Sequence, residues 1–137
     1  MKLCSACLLG VNCRYDGGNK RNAKVMELSR KEKLIPVCPE QLGGLPTPRE
    51  VTERKGRKVF TASGNDVTDY FVRGANAVLK IARKNGVKGA ILKQRSAACG
   101  CGQIYDGTFS GKVMEGDGVT AELLKANGIK VVTEEDL

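Results

Sequence analysis

Histidine and tryptophan are absent from this 137-residue chain, and aromatic residues make up only 4% of it. Without imidazole there is no Ser-His or Cys-His nucleophile, no His-ligated zinc and no imidazole general base. Few aromatics leave the base-stacking platforms of single-strand-binding proteins poorly supplied. Long apolar runs are missing too. The longest uncharged stretch, Leu3 to Cys13, is eleven residues, well short of the roughly 20 that span a bilayer. Ser5-Ala6-Cys7 has the look of a lipoprotein cleavage box, but only six residues precede Cys7, too few for an apolar signal core of about 7–15 residues. The expectation is a cytoplasmic protein with no membrane partner.

What is present is a chain able to bury a core, with 41% hydrophobic and 28% charged residues, and with six cysteines and seventeen glycines. Its length suits one domain spanning residues 1–137. In a reducing cytosol six thiols serve as ligands, catalysts or buried apolar residues rather than as disulfides. The net charge is +8, and the stretch Arg14–Lys58 carries 12 basic against 6 acidic residues. Such a balance is compatible with phosphate contacts, but an ordinary lysine-rich surface accounts for it better, so nucleic acid is not the favoured partner.

Four short apolar segments read as strands: Lys2–Ala6, Leu34–Val37, Gly89–Leu92 and Lys130–Thr133. Helical patterns separate them. Asn22 is placed to cap a helix running to Lys33. Across Asp66–Asn85, apolar residues from Val67 to Ala82 follow a 3.6 period, with Gly86 placed as a terminator. A third helix from about Gly118 to Asn127 ends at Gly128. This alternation predicts an α/β domain of Rossmann-like type, with about four parallel strands and helices on both faces. Two loops are longer than such a fold needs. Pro39–Val59 is expected to hold a small hairpin around Lys55-Gly56, and Lys93–Asp117 is dense in glycine.

On this map Cys7 and Cys13 follow strand one, Cys38 ends strand two, and Cys99 and Cys101 follow strand three. In open α/β sheets ligands bind beyond the carboxyl ends of the strands. A flavodoxin-like strand order, 2-1-3-4, would bring these five thiols to one place. Cys4 lies inside strand one and reads as a core residue. Tyr15-Asp16-Gly17 after Cys13 and Tyr105-Asp106-Gly107 after Cys101 form a weak internal echo, of a kind that two common turns also produce. Zinc knuckles need paired C-x2-C motifs. Only Cys4-x2-Cys7 has that spacing, and a strand would point its two side chains to opposite faces. Thiols dispersed over three loops suit an iron–sulfur cluster; a zinc site and an absence of metal stay open on spacing alone.

Four motifs narrow the choice. Ser5-Ala6-Cys7-Leu8-Leu9-Gly10 with Arg14-Tyr15-Asp16-Gly17 is the first. Pro36-Val37-Cys38-Pro39-Glu40, running into Gly43-Gly44-Leu45-Pro46-Thr47-Pro48-Arg49, is the second. Asp66-Val67-Thr68 is the third. Arg95-Ser96-Ala97-Ala98-Cys99-Gly100, followed by Ile104-Tyr105-Asp106-Gly107-Thr108-Phe109-Ser110-Gly111, is the fourth. Together they resemble a small prokaryotic domain family, formerly of unknown function, that includes the thiouracil desulfurases. The resemblance runs from Leu3 almost to the C-terminus.

It implies a Rossmann-like domain with a four-iron, four-sulfur cluster held by three cysteines, one iron staying open to take sulfur from a thiolated nucleobase without net redox change. Carried over motif by motif, the ligands are Cys7, Cys38 and Cys99, with Cys13 and Cys101 as extra thiols nearby. A Glu and a Ser handle protons in the family, and Glu40 and Ser96 are the matching residues. With no histidine, the base must be a carboxylate. Glu40 could equally serve a salt bridge or a helix start, and Ser96 could be an ordinary loop hydroxyl. Relatives commonly read Ser-Pro-Ser-Cys-Gly where this chain has Ala98 before Cys99, so a role for that second serine is lost here. Arg14, Arg49 and Arg95 flank the motifs as substrate-binding candidates, or as partners of Asp16, Glu50 and Asp106. Two alternatives accompany this reading: a non-catalytic iron–sulfur or persulfide carrier, and a desulfurase of thiolated tRNA. Relatives of the latter kind carry an added RNA-binding domain.

Overall fold

A computed structural model describes all residues from Met1 to Leu137. Its centre is a four-stranded parallel sheet of β1 (Lys2–Ser5), β2 (Leu34–Val37), β5 (Gly89–Leu92) and β8 (Lys130–Thr133), in the order β2-β1-β5-β8. This is the 2-1-3-4 order expected from the sequence. Two antiparallel hairpins lie outside it: β3 (Thr52–Lys55) with β4 (Lys58–Thr61), and β6 (Gln103–Tyr105) with β7 (Val113–Glu115). Four helices complete the fold: α1 (Ala23–Lys31), α2 (Pro39–Leu42), α3 (Thr68–Lys84) and α4 (Val119–Ala126).

The alternation of strand side chains divides the core. Leu3, Ala90 and Leu92 face one way, into a cluster with Phe71, Val78 and Leu124, residues of α3 and α4. Cys4 and Ile91 face the other way, against Val25 of α1. Both faces of the sheet are thus covered, as parallel sheets require. Asn22 caps α1, its side-chain oxygen accepting from the Val25 amide at 3.1 Å. Asp66 plays a similar part before α3, where its Oδ1 accepts from the Thr68 amide at 2.9 Å.

Three expectations are corrected. The first strand stops at Ser5, and Ala6–Leu9 form a 3-10 turn. That turn swings Cys7 into the same apolar cluster as Cys4, so the two thiols do not face opposite sides of the sheet. The Pro39–Val59 loop opens with the single-turn helix α2 as well as holding the expected hairpin at Lys55-Gly56. The Lys93–Asp117 loop contains the β6–β7 hairpin, whose second strand is fully exposed and carries no alternation to betray it.

Helix α2 lies directly against α3, and two glycines make this approach feasible. A Cβ on Gly74 would overlap the Pro39 carbonyl, and one on Gly43 would overlap the Tyr70 carbonyl. The packing fixes the segment that begins at Cys38.

Candidate active site

β1, β2 and β5 are neighbours, so the loops leaving their carboxyl ends meet. Cys7 stands in the 3-10 turn after β1 and Cys38 at the N-terminal boundary of α2. Cys99 stands in a turn after β5 that is buttressed twice. The Ser96 hydroxyl accepts from the Ala98 and Cys99 amides, each at 3.1 Å, and Gly118 packs where a Cβ would overlap the Ala98 carbonyl. Cys7, Cys13, Cys38 and Cys99 all line one cavity of about 360 Å³, together with Glu40, Ser96 and the three candidate arginines. All six cysteines are free thiols.

The thiols are neighbours and feel a common charge; the Cys38 thiol donates to the Cys13 carbonyl at 3.7 Å. The neighbouring Cys38 thiol acts to lower the pKa of Cys13; the neighbouring Cys7 thiol, burial and the charges of Cys7 and Glu40 outweigh that and bring it to about 11. The Cys13 thiol beside it pushes the Cys38 thiol well above the ordinary range, with burial and Glu40 adding to the effect. Burial, followed by the Glu40 charge, does the same to Cys99, against the opposing pull of the Ser5 and Ser96 hydroxyls. These three thiols stay protonated at neutral pH; a nucleophilic or persulfide-carrying cysteine needs a lowered pKa, and a metal would have to displace these protons to bind. No three acidic, cysteine or histidine side chains are grouped to hold a single metal ion.

Arg49 organises the acidic part of the cavity. Its Nη2 donates to Glu40 Oε2 at 2.8 Å and to the Cys13 carbonyl at 2.8 Å, while Nη1 donates to Thr47 Oγ1 at 2.9 Å. The guanidinium is 6% exposed and the Glu40 side chain 19%. Glu40 therefore both pairs with an arginine and sits in the first turn of a helix. Its other oxygen, Oε1, has no protein partner.

The other arginines line the cavity but are engaged elsewhere. Arg14 approaches Asp16 at 3.8 Å, as one expectation had it. Arg95 forks onto Glu135 rather than Asp106, and Arg49 takes Glu40 rather than Glu50. Lys93 is held by Glu134 at 2.9 Å, which leaves Lys20 as the cavity-lining cation without a carboxylate partner. Lys20, three residues past Gly17 of the first motif, did not stand out in the sequence, and Ser5 was noted only as that motif's first residue. Cys101 is separated from the other thiols and does not line the cavity. Its Sγ lies 3.8 Å from the Val131 carbonyl and 3.9 Å from Lys125 Nζ, on the β8 and α4 side.

The Tyr-Asp-Gly echo is structural. Asp16 accepts from the Gly18 amide at 2.9 Å and Asp106 from the Thr108 amide at 3.0 Å, the same turn made twice. Gly17 and Gly107 take positive φ of 79° and 90°. Both tyrosines come to the rim of the one cavity, 40% and 37% exposed.

Fold and site together define a Rossmann-like domain with a thiol-lined, histidine-free cavity at the carboxyl edge of its sheet. Residues 3–136 match the model of the 2-thiouracil desulfurase family, and the chain belongs to that family. An uncharacterized protein of Bacillus subtilis (strain 168), YbbK, is 44% identical over all of this chain and 97% of its own. The solved structure of the 4Fe-4S-dependent thiouracil desulfidase TudS superposes with a TM-score of 0.95 at 44% identity, covering 99% of this chain and 91% of that one. None of the chain's helices is long and apolar enough to cross a membrane.

Proposed function

We propose that this protein is a desulfurase that removes sulfur from a small thiolated nucleobase such as 2-thiouracil by non-redox hydrolysis, using a 4Fe-4S cluster. The observation that carries the reading is the convergence of Cys7, Cys38 and Cys99, from three segments up to 92 residues apart, on one cavity with Glu40. The residues fit such a group: the donors are soft, unpaired thiols, and a carboxylate stands among them. Cys7, Cys38 and Cys99 would hold the cluster, which when bound supplies an iron not ligated by these three that can polarise a C=S bond.

The chain's own groups supply the rest. Arg49 fixes one oxygen of Glu40, leaving Oε1 to take a proton from the attacking water. Ser96 spends its lone pairs on two backbone amides, which leaves its hydroxyl proton free, and its hydroxyl acts to lower the pKa of the nearby Cys99 thiol. Tyr15 and Tyr105 offer flat apolar faces to a heteroaromatic ring at the rim. Lys20 is free to meet a carbonyl or other anionic edge of the substrate. A cavity of about 360 Å³ matches one base rather than a folded RNA.

The test is anaerobic reconstitution followed by incubation with 2-thiouracil. Brown protein with four irons and four labile sulfides per chain, releasing uracil and sulfide in equal amounts, is the expected result. Colourless protein after careful anaerobic loading sinks the reading. Cluster-loaded protein that yields no product with any thiolated base makes it a carrier instead.

A further inference from the structure

We propose that Glu53 is a positioning residue: its buried carboxylate grips the turn of the β6–β7 hairpin and so holds Tyr105 at the cavity rim, against the ring of the bound base. The inference rests on the desulfurase reading above for what the cavity binds. It gives a task to the Asp106–Gly111 part of the fourth motif, which that reading leaves idle.

Burial and bonding are the first argument. Glu53, on β3, is the most buried acidic residue of the chain at 7% exposed. A carboxylate out of water needs hydrogen bonds in place of its hydration. Its Oε1 accepts from the Gly107 amide at 3.0 Å and from the Phe109 amide at 3.1 Å, on the other hairpin and 54 and 56 positions along the chain. No cation takes their place: the neighbouring Arg54 reaches instead to Glu122, at 2.6 Å.

The shape of the turn is the second argument. Gly107 and Phe109 both take left-handed backbone, with φ of 90° and 55°. Glycine adopts it freely, whereas for Phe109 it is unfavourable. Asp106 takes the amide between them, that of Thr108, at 3.0 Å, so the turn presents alternate amides to one oxygen. A strained residue persists where its surroundings constrain it, and Glu53 supplies that constraint.

The third argument is what the turn carries. Tyr105 ends β6 two positions before Gly107, and it lines the cavity while 37% exposed. β7 gives it no shelter, since Val113–Glu115 are all exposed. A two-stranded hairpin is marginal by itself, so its place depends on β3. Beside Glu53, Arg54 Nη1 donates to the Asp117 carbonyl at 2.7 Å, which fixes the exit of the same hairpin. An aromatic already fixed at the rim binds a ring without a further ordering cost. The Ser96–Cys99 turn has separate supports in the Ser96 hydroxyl and the first turn of α4, so the cluster should load without the Glu53 contact.

The experiment measures amide exchange and steady-state kinetics in wild type, Glu53→Ala, Glu53→Gln and Tyr105→Ala. In Glu53→Ala the Gly107 and Phe109 amides are expected to exchange about tenfold faster than in wild type, with or without metal. Reconstituted anaerobically, this variant should carry wild-type iron and keep its kcat for 2-thiouracil. Its KM should rise about fivefold, the mark of lost binding rather than lost chemistry. Glu53→Gln keeps an oxygen acceptor and should restore both slow exchange and the wild-type KM. Glu53→Ala combined with Tyr105→Ala should raise KM no further than Tyr105→Ala alone. Exchange in wild type decides the grip on the turn even if the variants fold poorly: both amides should be far better protected than that of Gly111, which has no acceptor. Unprotected amides, an unchanged KM in folded Glu53→Ala, loss of kcat together with iron, or additive effects with Tyr105→Ala would each overturn the proposal. Wild-type protein that holds no iron would instead strike the desulfurase reading, and exchange would still decide the grip of Glu53.

Discussion

Arg49 Nη2 stands 2.8 Å from Glu40 Oε2, nearly excluded from solvent, and the same nitrogen reaches the Cys13 carbonyl at an equal distance. One cation thus ties the proposed base to the loop that carries a thiol. Removing one partner of a buried ion pair strands the other. Arg49→Met is expected to cost about 3 kcal/mol in stability, read by thermal melting, and to lower kcat at least tenfold.

Glu40→Gln keeps the shape and removes the base. Loss of a general base costs roughly 10²–10⁴-fold in rate, so kcat for 2-thiouracil should fall by that much while the iron content stays at wild-type level. If Arg49 acts through Glu40, the double variant should be no slower than Glu40→Gln alone. Additive losses would show that Arg49 works independently.

The ligand assignment is checked by iron and labile sulfide per chain. Cys7→Ala, Cys38→Ala and Cys99→Ala are expected to lose the cluster. Cys4→Ala, altering a thiol in the core, and Cys101→Ala, altering one outside the cavity, are expected to retain it.

The buried thiols make metal-free protein sensitive to alkali. Burial raises Cys4 from 9.0 to about 12, the Glu134 charge adding to it, and Cys13 reaches about 11. A folded-state pKa above the unfolded value means that the native state binds the proton more tightly. The stabilisation is therefore complete below pH 9 and lost as pH rises through 11 to 12. For Cys4 the full effect is on the order of 4 kcal/mol. Melting temperature of the metal-free chain should fall steadily above pH 9, and Cys4→Ala should flatten that fall.

Helix packing reaches the site through Gly74. A methyl group there would collide with the Pro39 carbonyl, next to both Cys38 and Glu40. Gly74→Ala is expected to destabilise by about 1–3 kcal/mol and to impair cluster loading. Gly56→Ala, at a hairpin tip with open space around it, should leave loading unchanged.

Much of this was legible in the chain itself. Short apolar segments alternating with amphipathic ones determined four parallel strands, because each period selects one backbone geometry. Asn22, Gly86 and Gly128 marked helix ends through their own capping and left-handed preferences. The absence of histidine left a carboxylate as the expected proton acceptor, and the family resemblance pointed to Cys7, Cys38 and Cys99 as the proposed ligands. Only the tertiary structure decided which neighbours share the cavity. Cys13 and Cys101 look alike in sequence, each just before a Tyr-Asp-Gly turn, yet one is buried among thiols and the other faces Lys125. Arg49 chose Glu40 over Glu50 and Arg95 chose Glu135 over Asp106. The reason is physical: local sequence sets backbone conformation through short-range sterics and hydrogen bonds, whereas ion pairing and thiol burial depend on residues tens of positions apart, whose meeting the packed sheet alone arranges.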